Sequence, residues 1–197
     1  MPKPDVYRYF LAFRPDPVLR YWIASLRQAA GQHERQIRER HLHLTLCVLL
    51  ESLERDHFIA PRVEAALAGA DLSSLLLHLG RVGGGDGGAA LYTIGRKAGY
   101  RAFCRTLFGH LAARDIMPIL EKHQPHVTLG HDRCGFEPFT FLCEWVPGEI
   151  LLIESEHGNG IHNVLGSWPL RPPPQGSFPF GPTLPPIPPM QAAAGSR

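Results

Sequence analysis

Two tetrapeptides with the same chemistry occur in this chain, His43-Leu44-Thr45-Leu46 and His126-Val127-Thr128-Leu129. In an extended strand, residues two apart share a face. Each copy would therefore present one imidazole and one hydroxyl together and turn Leu44 or Val127 toward a core. Two such strands side by side would bring two histidines and two threonines to one centre. One histidine can remove a proton while the other supplies one, and the hydroxyls can bind phosphate oxygens. That set suits cleavage of a phosphate ester without a metal. A single His-x-Thr reads more readily as a structural histidine beside a β-forming threonine. Its recurrence in matching context is what points to function.

The elements that must position these residues can be read from periodicity and breakers. Val6 to Phe13 is strand-like, and Asp16-Pro17 supplies a cap and a first-turn proline. Leu19, Trp22, Ile23 and Leu26 then recur at helical spacing toward Ala30. His41 to Leu49 is the predicted strand of the first repeat. A second helix includes Arg62 to Leu67, its start limited by Pro61. Leu75 to Val82 and Ala90 to Ile94 read as a hairpin around Gly83-Gly84-Gly85-Asp86-Gly87-Gly88. A glycine-rich loop cradles phosphate where it opens a helix, and this one lies between strands. Tyr100 to Arg114 is a third helix with Phe103, Leu107 and Leu111 on one stripe. The strand of the second repeat follows Pro125. Glu149 to Ser155 and Ile161 to Leu170 close the series around His157-Gly158-Asn159-Gly160. Strands and helices in this order predict an α+β body of two lobes related by a pseudo-twofold, with the active centre in the cleft between them.

At 197 residues and 44% apolar content the chain can bury a substantial core. Its net charge of +2 permits an anionic substrate without arguing for a long nucleic-acid track. Cys47, Cys104, Cys134 and Cys143 show neither Cys-x-x-Cys pairing nor zinc-finger spacing and are expected to be small buried hydrophobes. No signal peptide or spanning segment is read, so a cytoplasmic, soluble protein without membrane contact is expected. Residues 1–170 form the expected domain. From Arg171 the composition becomes proline-rich, which predicts an extended tail over 171–197 and leaves open a polyproline docking ligand.

The paired motifs resemble the 2H phosphoesterase superfamily, and within it the bacterial branch of 2′-5′ RNA ligases and RNA 2′,3′-cyclic phosphodiesterases. Arg40-His41-Leu42-His43-Leu44-Thr45-Leu46 and His123-Gln124-Pro125-His126-Val127-Thr128-Leu129 carry the likeness. Tyr9-Phe10-Leu11-Ala12-Phe13 and Ile153-Glu154-Ser155 add to it, and it spans about residues 6 to 170. The resemblance implies antiparallel sheets lining a central cleft, helices packed outside, and no cofactor. It implies His43 and His126 as the acid/base pair and Thr45 and Thr128 as the phosphate-binding hydroxyls. It also implies RNA ends or cyclic nucleotides as substrate, hydrolysis to a 2′-phosphate, and reverse 2′-5′ ligation at the same site. A monomer with no obligatory protein partner is expected.

Two positions depart from that family's pattern. His41 stands where a small polar residue is frequent, and it could line the cleft or orient His43. His131 stands where an arginine would help bind phosphate, with Arg133 two residues later. Histidine is a weaker anion clamp than the guanidinium fork. His131 and Arg133, with His41, are candidate substrate contacts. The run Arg96, Lys97, Arg101 and Arg105 could steer an anion, although an ordinary solvated helix face is the simpler reading. Phe10, Tyr92 or Trp168 could stack on a base. Two other functions remain open at this stage. His41, His43, His123, His126 and His131 could be drawn as a metal site, or the scaffold could bind a nucleotide or RNA end without turnover.

Overall fold

The computed structural model describes residues 6–29, 37–85, 88–119, 124–131 and 139–173. Its strands are β1 (Tyr7–Phe13), β2 (Leu44–Ser52), β3 (Leu77–Gly85), β4 (Gly88–Thr93), β5 (His126–Gly130), β6 (Phe139–Trp145), β7 (Glu149–Glu156) and β8 (Ile161–Pro169). Its helices are α1 (Pro17–Ala29), α2 (Ile59–Leu67) and α3 (Ala98–Ala112). Asp16 starts α1 by accepting the Leu19 amide at 2.9 Å. Asp56 does the same before α2, accepting the amides of Phe58 at 2.7 Å and Ile59 at 2.9 Å.

All eight strands join one antiparallel sheet in the order β6-β3-β4-β5-β2-β1-β7-β8. From the centre outward the two halves match, β2-β1-β7-β8 against β5-β4-β3-β6. Each half contains a strand–helix–strand unit, β1-α1-β2 in one and β4-α3-β5 in the other. The expected pseudo-twofold is thus present, and its two sheets are continuous. They meet at β2 and β5, whose recorded register pair is Leu44 with Val127.

Alternation along the strands separates two apolar faces. On β1, Tyr9, Leu11 and Phe13 enter the main core, while Phe10 and Ala12 join a second, smaller cluster. On β7, Ile150 and Leu152 belong to the first and Leu151 and Ile153 to the second. The helices cover the main-core face with Leu19, Trp22, Ile23 and Leu26 of α1, Val63 of α2, and Leu107 and Leu111 of α3. Leu44 and Val127 are fully buried in that core. A one-residue slip would drive His43 and Thr45 into it and expose Leu44, so hydrophobic burial fixes the register at the junction.

Several expectations shift in detail. The first-repeat strand begins at Leu44 rather than His41, because Glu39–His41 forms a 3-10 turn closed by His41 N–H to Arg38 O at 2.8 Å and Leu42 N–H to Glu39 O at 3.1 Å. Strand β6 has no counterpart in the sequence reading, although Phe139-Thr140-Phe141-Leu142-Cys143 alternates as an edge strand should. The glycine run does turn between strands, with Gly85 paired to Gly88. Gly88 adopts φ +113°, and a Cβ there would collide with the Gly130 carbonyl of the neighbouring strand. Leu170 is buried and Arg171 hydrogen-bonds to Leu72 and Ser74. Residues 174–197 of the proline-rich tail lie outside the described residues. Cys47, Cys104 and Cys143 are free and buried. Cys134 falls outside the described residues. Among those described, no helix is long and apolar enough to cross a membrane.

Candidate active site

The Leu44–Val127 pair determines where the repeats point. Counting outward along two antiparallel strands, Thr45 faces His126 and His43 faces Thr128. By alternation the four side chains make a square on the face opposite Leu44 and Val127. All four line one cavity of about 460 Å³. The sequence-derived set is brought together.

Both imidazoles are fixed by the same device. His43 Nδ1 lies 2.6 Å from the carbonyl of His41, and His126 Nδ1 lies 2.8 Å from the carbonyl of Gln124. In each case the ring donates its Nδ1 proton to the carbonyl two residues earlier. A neutral ring so held carries its lone pair on Nε2, and a protonated ring donates from Nε2. The backbone before each repeat thus sets both tautomer and direction.

The surroundings of the two rings differ. His43 packs against Phe10 with ring centroids 4.9 Å apart and meets His162 edge-on at 5.4 Å. His162 in turn stacks on His41 at 4.5 Å. Burial pushes the His43 pKa down to about 4, and the positive charges of Arg14, His41 and His126 push the same way against the favourable bond to the His41 carbonyl. His162 is pushed down to about 3, mainly by burial and then by His43, His41 and Arg14. His126 packs against Tyr92 at 5.6 Å, and the Arg81 guanidinium lies 4.6 Å from the centroid of the Tyr92 ring.

The other sequence candidates separate. His41 sits in the 3-10 turn, lines the cavity, and orients His43 through its carbonyl. His131 is exposed and also lines the cavity. Arg133 and His123 lie outside the described residues. Phe10 lines the cavity but is 3% exposed and packed against His43 and His162, and Trp168 does not line it. None of Arg96, Lys97, Arg101 and Arg105 lines this cavity, and Arg101 and Arg105 are exposed on α3. Among the described residues, no three His, Cys, Asp or Glu side chains are arranged to hold a metal ion.

The sequence reading missed His162, Arg8, Arg38 and Asn159, which also line the cavity. His162 could have been found from pairing, since it faces Ser155 across β7 and β8 and Ser155 lines the same cavity. Glu154, the neighbour of Ser155 in the chain, turns the other way. It accepts from Tyr9 Oη and Asn163 Nδ2 at 3.0 Å each and pairs with Arg55 at 3.2 Å. Its buried charge is thereby satisfied, and it ties β1, β7 and β8 together.

No family model and no curated protein sequence matches the chain. Solved structures do match its fold. E. coli LigT complexed with NADP+ is 22% identical, with a TM-score of 0.66 over 84% of this chain and 98% of that one. TT0787 of Thermus thermophilus is 21% identical, also with a TM-score of 0.66, over 84% and 98%. The MHV ns2 PDE domain is 14% identical, with a TM-score of 0.54 over 78% and 99%. The architecture matches the fold of E. coli LigT, in the α+β arrangement that the resemblance implied.

Proposed function

We propose that this protein is a phosphodiesterase that opens a ribose 2′,3′-cyclic phosphate, at an RNA end or on a nucleotide, by two-histidine acid/base catalysis. The observation that carries the reading is the register at Leu44 and Val127, which squares His43 and Thr45 against Thr128 and His126 with both Nδ1 atoms tied to backbone carbonyls. The likeness in fold to E. coli LigT and to the MHV ns2 PDE domain supports it.

In this reading one imidazole takes a proton from water through Nε2 as the water oxygen bonds to phosphorus. The bond from phosphorus to the ribose O3′ breaks, and the other imidazole delivers its proton to that oxygen. The product is a 2′-phosphate beside a free 3′-hydroxyl, and the pair ends with its proton transferred between rings. Thr45 and Thr128 donate hydrogen bonds to the non-bridging oxygens, whose charge grows as water adds. The same positions give 2′-5′ ligation when a 5′-hydroxyl replaces water as the nucleophile: its oxygen bonds to phosphorus, its proton passes to the first imidazole, and the bond to O3′ breaks as before. Turnover needs one ring neutral and the other protonated, so kcat/KM follows a bell-shaped pH profile.

The test is turnover of a cyclic-phosphate-ended RNA in EDTA, with His43→Ala and His126→Ala beside wild type. Each substitution should lower kcat by about 10²- to 10⁴-fold, the usual contribution of a positioned acid or base, and the wild-type product should be the 2′-phosphate. Tight binding of the RNA end by folded wild type with no product would replace this reading with that of a binding protein.

A further inference from the structure

Arg14 follows β1, Arg20 sits on α1, and Arg38 and Arg40 flank and enter the 3-10 turn before β2. Arg20, Arg38 and Arg40, together with Glu39, line an open groove of about 540 Å³. Arg38 also lines the cavity that holds His43 and His126, so groove and cavity share a wall.

Among the described residues these arginines are short of counter-charge. The Nε atoms of Arg14 and Arg20 are buried without a hydrogen-bond partner. Among the described residues, no carboxylate forms an ion pair with any of the four. Arg14 and Arg20 also repel each other. After burial, Arg20 is the next cause that lowers the Arg14 pKa, and Glu149 only partly opposes it. Like charges gathered without a counter-ion destabilise the free protein, and a bound anion reverses that sign. Phosphate fits best, because a guanidinium presents paired donors to its oxygens.

We propose that this groove is a second phosphate site that holds the backbone of an RNA strand whose cyclic-phosphate end lies between His43 and His126. The proposal takes the cavity's role from the preceding subsection, while the groove itself is tested separately. A strand is favoured over a lone anion because Arg38 lines both groove and cavity. One ligand occupying both must carry linked phosphates. The basic run on α3, which could steer an anion but reads more simply as a solvated helix face, does not line the cavity.

The experiment compares kcat/KM for a cyclic mononucleotide, the same nucleotide with a 5′-phosphate, and a cyclic-phosphate-ended hexanucleotide, at about 50 mM and about 200 mM salt. The hexanucleotide should lead both mononucleotides by about tenfold at low salt, and the lead should shrink at high salt as counterion release weakens. Arg20→Gln should cut the hexanucleotide-to-mononucleotide ratio several-fold and flatten the logarithmic salt slope by about 0.7, the single-strand value per phosphate contact. Arg20→Lys should restore part of the ratio. Equal rates for all three substrates, a gain supplied entirely by the 5′-phosphate, or a length effect untouched by Arg20→Gln would each overturn the proposal. If Arg20→Gln does not fold, Arg40→Gln carries the same measurement. Should no substrate turn over, the catalytic reading fails by itself. Anisotropy of a labelled hexanucleotide ending in a 2′-phosphate then decides the groove: binding weakened by Arg20→Gln supports it, and unchanged binding overturns it.

Discussion

The two halves of the sheet build one device twice and then surround it differently. In both, the imidazole before a buried apolar residue gives its Nδ1 proton to the carbonyl two positions back. In the first half that ring lies against Phe10, with His162 edge-on to it and Arg14 felt nearby. In the second, the ring lies against Tyr92, which carries Arg81 on its face. The difference shows a division of labour. Backbone register and carbonyl acceptors decide where each ring's Nδ1 proton sits, and the packed neighbours of His43 lower its affinity for a second one.

If the shared device is what matters for phosphate, the two threonines should be equivalent despite their different neighbours. Thr45→Val and Thr128→Val keep the β-branched shape and remove the hydroxyl. Each should lower kcat/KM on a cyclic-phosphate substrate by about 10- to 100-fold, the range for losing a hydrogen bond to a charged group. A large loss in one half and none in the other would break the symmetry at the level of binding. It would confine the reactive phosphate to one side of the square.

The differing neighbours should show in the pH profile. Burial holds the His43 pKa at about 4, so in the proposed mechanism one limb of the kcat/KM profile belongs there. His162→Ala removes a ring that excludes water from His43. Water then stabilises the imidazolium, and the sign is upward: the limb should move toward ~6.5, the ordinary histidine value, by about one unit or more. Stopped-time assays across pH 3.5 to about 8 would check it, that window bracketing the usual histidine range. A limb that stays fixed in His162→Ala would show that the packing around His43 does not set its proton affinity.

What the sequence disclosed divides along the same line. The square of His43, Thr45, His126 and Thr128 was legible because strand alternation is a local rule, and because Leu44 and Val127 are apolar at the positions that must face the core. The helices were legible from the stripes of Leu19, Trp22, Ile23 and Leu26 and of Phe103, Leu107 and Leu111. His162 and Arg38 were not. They reach the cavity through the pairing of β8 with β7 and through a 3-10 turn, and neither long-range pairing nor turn geometry leaves a period in the chain. His41 was assigned to the strand because it continues the alternation of His43 and Thr45. The turn at Glu39–His41 ended that alternation and made the His41 carbonyl, rather than its ring, the group that orients His43. β6 escaped notice although its residues alternate, for it stands at the sheet edge with Leu142 exposed.

The histidine cluster of the first half should also appear in stability, by a smaller amount. In the unfolded chain each imidazole titrates near ~6.5. In the folded protein His43 titrates at about 4 and His162 at about 3, both depressed chiefly by burial. Below pH ~6.5 the unfolded state therefore binds more protons than the native state, and the free energy of unfolding falls as pH falls. The stabilisation is complete above that value and is lost progressively on the way down toward the folded pKa values. His162 is partly open to the cavity, so its share is discounted to about 1 kcal/mol between pH 7 and pH 5. Urea denaturation midpoints at pH 7, 6 and 5 should fall steadily for wild type and less steeply for His162→Asn. Parallel lines for the two proteins would mean that the cluster, however closely packed, is as easily protonated folded as unfolded.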